Sequence, residues 1–302
     1  MTAPSFEAIL ANLEAAPPQD QSGGYDTARL IQLEAALSDV HVEDAEIVAP
    51  AGPISVRQYL PSSKSASAGL VWAHGGAWVG GSVDMPEAHW VGLSLASRGV
   101  AVFSVDYHLS LRGVTFPVPS DDLLAAFEWA RTARPELGVG DIPLHLGGAS
   151  AGGNLAAGVA KRLARAGSAP TSLVLAYPAI HSELPVPSAD LTEALTRAEI
   201  PEMVTGLLSF TMGHFSGAAG LHDEIAFPGN GPVPAGHPPT FVLNADADPL
   251  RSSGELYARQ LSEAGVRVAV EHASGSQHGF LNEPESEFGR AGIDRIAAWL
   301  LA

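Results

Sequence analysis

From Leu70 onward the chain alternates between short, nearly continuous apolar runs and stretches of helical periodicity, an order that few folds accept. The runs cover 70–73, 100–105, 142–146, 173–176, 241–243 and 266–270, with helical patterns at 86–97, 120–133, 154–166, 254–264 and 288–301. Runs that are apolar at nearly every position read as strands buried on both faces, which is the texture of a parallel sheet. Strands alternating with helices predict an α/β fold: a mostly parallel central sheet covered by helices on both faces. A chain of 302 residues is long enough for one large domain of this kind.

Upstream, 45–48 and 54–60 alternate apolar and polar residues around Pro50-Ala51-Gly52-Pro53, as a hairpin at an antiparallel edge would. Before that come an acidic, Ala-rich helical stretch at 6–16, a Pro-Gly loop, and a second helix expected over 27–37 with one apolar face. Covering a pocket and packing on the outside are equally compatible with these helices. The stretch 180–239 breaks the strand-helix rhythm, with Pro and Gly crowded at its ends and a helical, partly apolar middle at 191–215. It is too long for an ordinary connection and reads as a cap inserted between two strands. The expected division is an N-terminal helical cap segment (1–45), a catalytic domain (46–179 and 240–302) and a cap insertion (180–239).

Between the run at 142–146 and the helix at 154–166 lies Gly148-Ala149-Ser150-Ala151-Gly152. A serine held on a sharp strand-to-helix turn needs almost no side chain two residues before and after it, and glycine fills both places. Such a turn lifts the Ser150 hydroxyl clear of the sheet and aims the first NH groups of the helix at negative charge forming beside it. Two phosphate-binding readings fail on spacing: a P-loop needs Lys where Asn154 stands, and a dinucleotide fingerprint needs Gly at Ala149 or Ser150. Ser150 is the candidate nucleophile. The chain has no cysteine, which excludes disulfides, a thiolate nucleophile and thiolate metal sites.

Ligands of open α/β sheets bind beyond the carboxyl ends of the strands. The run 241–243 leads into Asn244-Ala245-Asp246-Ala247-Asp248-Pro249-Leu250, and 266–270 leads to Gln277-His278-Gly279-Phe280. Ser, Asp, His is the α/β-hydrolase order of a catalytic triad. His278 is the candidate base, while Asp246 and Asp248 compete as its carboxylate partner. His74-Gly75-Gly76-Ala77-Trp78 follows the run at 70–73, where the loop after the third strand supplies oxyanion donors. The expected oxyanion hole is the NH groups of Gly75, Gly76 and Ala151.

With these motifs in order, the chain resembles the hormone-sensitive-lipase-like esterases, whose patterns are His-Gly-Gly-Gly, Gly-Asp-Ser-Ala-Gly-Gly, Asp-Pro-Leu and His-Gly-Phe. The resemblance runs from about residue 54 to the end and includes Val105-Asp106-Tyr107, Asp122 and the stretch from Tyr257 to Val266. It assigns the acid to Asp248, through Asp-Pro-Leu. It implies an α/β-hydrolase fold and a cofactor-free serine hydrolase that cleaves short-chain carboxylic esters through an acyl-enzyme, beneath a cap. A homodimer is compatible with it. Several positions depart from the family pattern: Ala77 replaces the third glycine, Ala149 the aspartate before the serine, Ser252 the second aspartate after Asp-Pro-Leu, and His108-Leu109-Ser110 the usual Arg-Leu-Ala-Pro-Glu stretch. Ala77 is expected to narrow the alcohol side of the pocket.

His-Gly-Gly-Ala-Trp also resembles the His-Gly-Gly-X-Trp stretch of kynurenine formamidases, so cleavage of an N-formyl amide is the second enzymatic reading. A catalytically silent ligand-binding member is the third, and the intact Ser150, Asp248 and His278 argue against it. The expected partner is a small-molecule ester. A formal charge of −17 repels nucleic acid and anionic membrane surfaces. No run is long enough to insert in a membrane, and no metal is expected because no His or carboxylate pair has ligand spacing. The first Arg is at 29 and the first Lys at 64, without the positive segment of a secretory signal, so a cytoplasmic location is expected.

Overall fold

The computed structural model describes residues 5–16, 26–62, 65–133, 142–201 and 203–302. Eight strands form one sheet: β1 (Val40–Ala49), β2 (Gly52–Pro61), β3 (Ala68–Ala73), β4 (Val100–Asp106), β5 (Leu144–Ala149), β6 (Leu173–Ala176), β7 (Thr240–Ala247) and β8 (Val268–Gln277). Their spatial order is β1-β2-β4-β3-β5-β6-β7-β8. Only β2 among them runs against the rest, pairing antiparallel with both β1 and β4. All other pairs are parallel. The mostly parallel α/β architecture expected from the sequence is what the chain adopts.

Alternate side chains of each strand enter opposite cores, as the two-residue period requires. Val71, Ala73, Phe103, Val105, Leu173 and Leu175 point to one core, which α4 (Val118–Ala133), α5 (Ala151–Arg165) and α8 (Arg251–Glu263) close with Phe127, Leu155 and Leu261. Leu70, Trp72, Val102, Val174 and Leu243 point to the other, closed by α3 (Pro86–Ser97) and α9 (Glu287–Leu300) through Val91, Leu93, Ile293 and Ile296.

The chain start departs from expectation in two places. The helix expected over 27–37 stops early: α2 spans Thr27–Leu33 and a 3-10 turn follows at Ala35–Asp39. This arrangement sends Leu30 and Leu37 into the same core as α3 and α9. Strand β1 begins at Val40, so a boundary at 45 falls inside it; the early part of this edge strand is mostly exposed and polar, which hid it from an apolar pattern. The Pro-Gly loop before α2 lies outside the described residues. Helix α1 (Phe6–Ala15) is separate from this region and lies on the inserted segment, with Phe6 stacked on Phe210 at 5.6 Å.

The inserted segment carries two helices where one helical stretch was expected: α6 (Ala189–Arg197), capped by the Ser188 hydroxyl accepting the Leu191 NH, and α7 (Met203–Ser216). Pro201 lies between them, and proline has no NH with which to continue a helical ladder. Strand β3 sits between β4 and β5, so successive crossovers leave it in opposite directions and open a crevice at its carboxyl end.

Candidate active site

The crevice beyond β3 and β5 holds Ser150, at the hinge between β5 and α5. Its backbone is at φ 53°, ψ −116°, a strained region for a residue with a side chain. Two hydrogen bonds hold it there: the Ser150 NH donates to Ala176 O at 2.9 Å, and the Ala179 NH donates to Ser150 O at 3.3 Å. A Cβ on Gly152 would lie 2.1 Å from the carbonyl oxygen of Ala73, so only glycine lets α5 start this close to the end of β3. Ser150 precedes the helix without its hydroxyl capping it.

That hydroxyl meets His278 instead, with Oγ 2.9 Å from Nε2. The other ring nitrogen, Nδ1, is 2.7 Å from Asp248 Oδ2. An ionised carboxylate only accepts, so the proton sits on Nδ1 and Nε2 is left to accept from serine. Asp248 is itself buried and takes the Leu250 NH at 2.9 Å on its other oxygen. Burial opposes charge on His278, but the Asp248 charge and hydrogen bond, joined by the charge of Glu87, outweigh it and raise the imidazole pKa.

The competing carboxylate, Asp246, faces elsewhere. It accepts from Arg251 Nη1 at 3.0 Å and from the Gly275 NH at 2.8 Å. Arg251, only 5% exposed, also reaches Asp190 on α6 at 2.5 Å and Glu255 at 2.9 Å, tying the inserted segment to the end of β7. The departure at Ser252 is nearby on α8, buried, with its hydroxyl donating to Pro249 O at 3.4 Å.

The loop after β3 differs from expectation at its first glycine. The Gly75 NH donates to Glu87 Oε1 at 2.6 Å and is therefore spent on a side chain. A Cβ there would fall 2.5 Å from that oxygen, so the carboxylate itself demands glycine. Among the described residues no acceptor takes the NH of Gly76 or Ala77, and both residues line the cavity with Ser150, Ala151 and His278. The Ala151 NH, at the first position of α5, has no partner within the helix. The three open donors are thus Gly76, Ala77 and Ala151, with Ala77 in the place expected for Gly75.

Ala77 and Trp78 both have positive φ, 52° and 62°, a conformation that costs a residue with a Cβ about 1–2 kcal/mol. Packing holds them. The Trp78 ring is buried between Phe215 and Phe227. Phe215 is core and does not line the cavity, whereas Trp78 does. His74 is structural: its ring stacks on Tyr107 at 4.4 Å, Nδ1 lies 2.7 Å from Gly75 O, and burial lowers its pKa to about 4, keeping it neutral. His108, in place of the usual arginine, has both its NH and its Nδ1 on the buried Asp122 carboxylate, at 2.9 and 2.8 Å.

The cavity has a volume of about 550 Å³ and is roofed by Val204, Leu207, Leu208 and Thr211 of α7. A small apolar side pocket behind Ala77 is walled by Phe6, Ile9, Leu10 and Leu13 of α1, so one of the two N-terminal helices reaches the site and the other does not. Glu87, Tyr177 and Asn282 also surround the site, and nothing in the sequence pattern marked them.

Comparison with known proteins is consistent with this arrangement. A family profile described as the alpha/beta hydrolase fold matches residues 70–282. Carboxylic ester hydrolase LipN of Mycobacterium tuberculosis is 34% identical over 256 residues, covering 80% of this chain and 65% of LipN, so the chain spans just under two thirds of that relative. Ethyl acetate hydrolase of Pseudomonas putida is 33% identical, covering 76% of this chain and 71% of that one. Among solved structures, the esterase of Pyrobaculum calidifontis superposes with a TM-score of 0.78 at 29% identity, covering 98% of this chain and 93% of that one. No described helix is long and apolar enough to cross a membrane.

Proposed function

The chain belongs to the α/β-hydrolase family, among its hormone-sensitive-lipase-like carboxylic ester hydrolases, and from that membership we propose that it cleaves short-chain carboxylic esters with Ser150 as nucleophile, His278 as base and Asp248 as the carboxylate that orients it. The observation that carries this reading is the unbroken hydrogen-bond chain from Ser150 Oγ to His278 to Asp248 at the floor of a largely apolar cavity.

A substrate carbonyl above Ser150 is attacked by Oγ as Nε2 takes the hydroxyl proton, and Asp248 stabilises the resulting imidazolium. The tetrahedral oxyanion is met by the NH groups of Gly76, Ala77 and Ala151, each such donor lowering the barrier by about 3–4 kcal/mol. Collapse expels the alcohol with the proton from Nε2. Water then attacks the acyl carbon as it gives a proton to the same nitrogen, and collapse breaks the bond to Ser150 Oγ, which takes that proton back as the acid leaves. A cavity of about 550 Å³ suits a small ester. Residues 180–239, with α7 as roof, and the N-terminal segment 1–45, through α1, act as the cap that keeps bulk water from the acyl-enzyme.

Initial rates on p-nitrophenyl acetate, butyrate, octanoate and laurate, with Ser150→Ala as control, test the reading. Turnover that vanishes in Ser150→Ala and declines beyond butyrate or octanoate is expected. No turnover of any ester, with hydrolysis of N-formylkynurenine, would replace it with the formamidase reading.

A further inference from the structure

Glu87 takes no part in the proton relay just described, yet its buried carboxylate gathers three pieces of the site. Oε1 accepts the Gly75 NH at 2.6 Å, while Oε2 accepts the Tyr177 hydroxyl at 2.6 Å and the Asn282 amide at 3.2 Å. Every group hydrogen-bonded to these oxygens is a donor, which favours the anion, while burial, the largest influence, works against the charge and raises the carboxyl pKa above its ordinary value. The first turn of α3, where Glu87 sits, favours negative charge as well. The turn is fixed from both sides: Trp72 Nε1 donates to the Glu87 carbonyl at 2.9 Å, and the Glu87 NH donates to Asn282 Oδ1 at 3.1 Å.

Each partner leads to a different functional part. Gly75 opens the oxyanion loop. Tyr177 sets its ring edge-on to His278 with centroids 5.0 Å apart. Asn282 belongs to the turn that follows His278, and its amide also donates to Gly279 O at 3.2 Å.

We propose that Glu87 is a positioning residue for the esterase reaction: by taking the Gly75 NH it turns that peptide away from the cavity and presents the next two NH groups, those of Gly76 and Ala77, to the oxyanion, while its charge stands behind the His278 imidazolium. The proposal rests on the serine-hydrolase reading above. The groups facing His278 are Ser150, Asp248, Tyr177 and Glu87, with Glu283 in the cavity wall. Asp248 is hydrogen-bonded to the ring, and Glu87 acts on it through space.

Glu87→Gln keeps an acceptor for Gly75 and removes the charge; Glu87→Ala removes both. Steady-state kinetics on p-nitrophenyl butyrate, with the rate of Ser150 labelling by a fluorophosphonate read in parallel, separate the two contributions. In Glu87→Ala, kcat is expected to fall by about 10²–10³ with KM within threefold, as for loss of an oxyanion donor, and labelling should slow alongside it. In Glu87→Gln the loss should be within about tenfold, and the acid limb of kcat/KM should move to lower pH because the imidazolium has lost a neighbouring anion. The Gln variant keeps the heavy-atom frame and carries the test if the Ala variant does not fold. Wild-type kcat in Glu87→Ala, a loss confined to KM, or an unmoved acid limb in Glu87→Gln overturns the proposal alone. A wild-type protein that neither hydrolyses ester nor labels overturns the serine-hydrolase reading and this proposal together.

Discussion

The indole of Trp78 lies flat on the ring of Phe215, centroids 4.5 Å apart and planes 9° apart, so the strained loop after β3 is clamped by a helix of the inserted segment. Phe215→Ala leaves a cavity under the indole and should cost about 3–5 kcal/mol. Thermal unfolding should show a melting temperature lower by roughly 10 °C. Turnover should fall too, because Ala77 and Trp78 lose what holds them at positive φ. An unchanged melting temperature would mean that the stacking contributes nothing.

The two carboxylates after β7 should separate by the kind of damage they cause. Asp248→Asn disturbs the tautomer of His278 and is expected to lower kcat on the order of 10⁴. Asp246→Asn weakens the contacts to Arg251 and the Gly275 NH, so it should reduce stability and spare most of the turnover. Rates and denaturation curves on both variants check this, and a larger kcat loss in Asp246→Asn would reverse the assignment.

Ala77→Gly removes a methyl from the cavity wall at a residue whose φ of 52° glycine adopts without strain. Relief of strain and the greater freedom of the unfolded chain oppose each other, so stability should change by no more than about 1 kcal/mol. The ratio of tert-butyl acetate to ethyl acetate hydrolysis should rise. Equal rates on the two esters in the unsubstituted protein would show that Ala77 does not narrow the alcohol side.

Stability should fall steeply in mild acid. Burial lowers the pKa of His74, His89, His145, His181 and His237 to about 4, against about 6.5 for an unfolded histidine. These groups are neutral in the folded protein and protonated on unfolding, so their contribution is complete above pH 6.5 and is lost as pH falls toward 4. Each steepens the fall of stability with falling pH in that window. Urea unfolding at pH 8, 6 and 5 measures it, and a flat profile between 8 and 5 would contradict the neutral burial of these rings.

What was legible in the sequence follows from where the proposed triad sits. Ser150, Asp248 and His278 each lie just past a strand, and backbone geometry around the serine leaves room only for glycine at 148 and 152, so both position and residue type carried a signal. The hydrogen bond from the Gly75 NH to Glu87 was not legible for a related reason: a glycine required by a neighbouring side chain looks the same as one that serves a substrate. Its partner Glu87 lies on a helix whose pattern reports burial alone. The contact of α1 with α7 was equally silent, because the stacking of Phe6 on Phe210 joins distant parts of the chain through residues that read as ordinary apolar positions.

Among the described strands, β8 closes the sheet at one edge and pairs with β7 alone, and the loop it leads into carries His278. During synthesis this strand emerges after β3, β5 and β6, so the elbow has its sheet partners before it meets His278. A growing polypeptide therefore exposes the Ser150 hydroxyl before its imidazole partner, and a protein clipped ahead of β8 would keep most of its sheet while losing the proposed base. The proposed triad is completed from the edge of the sheet, not from its centre.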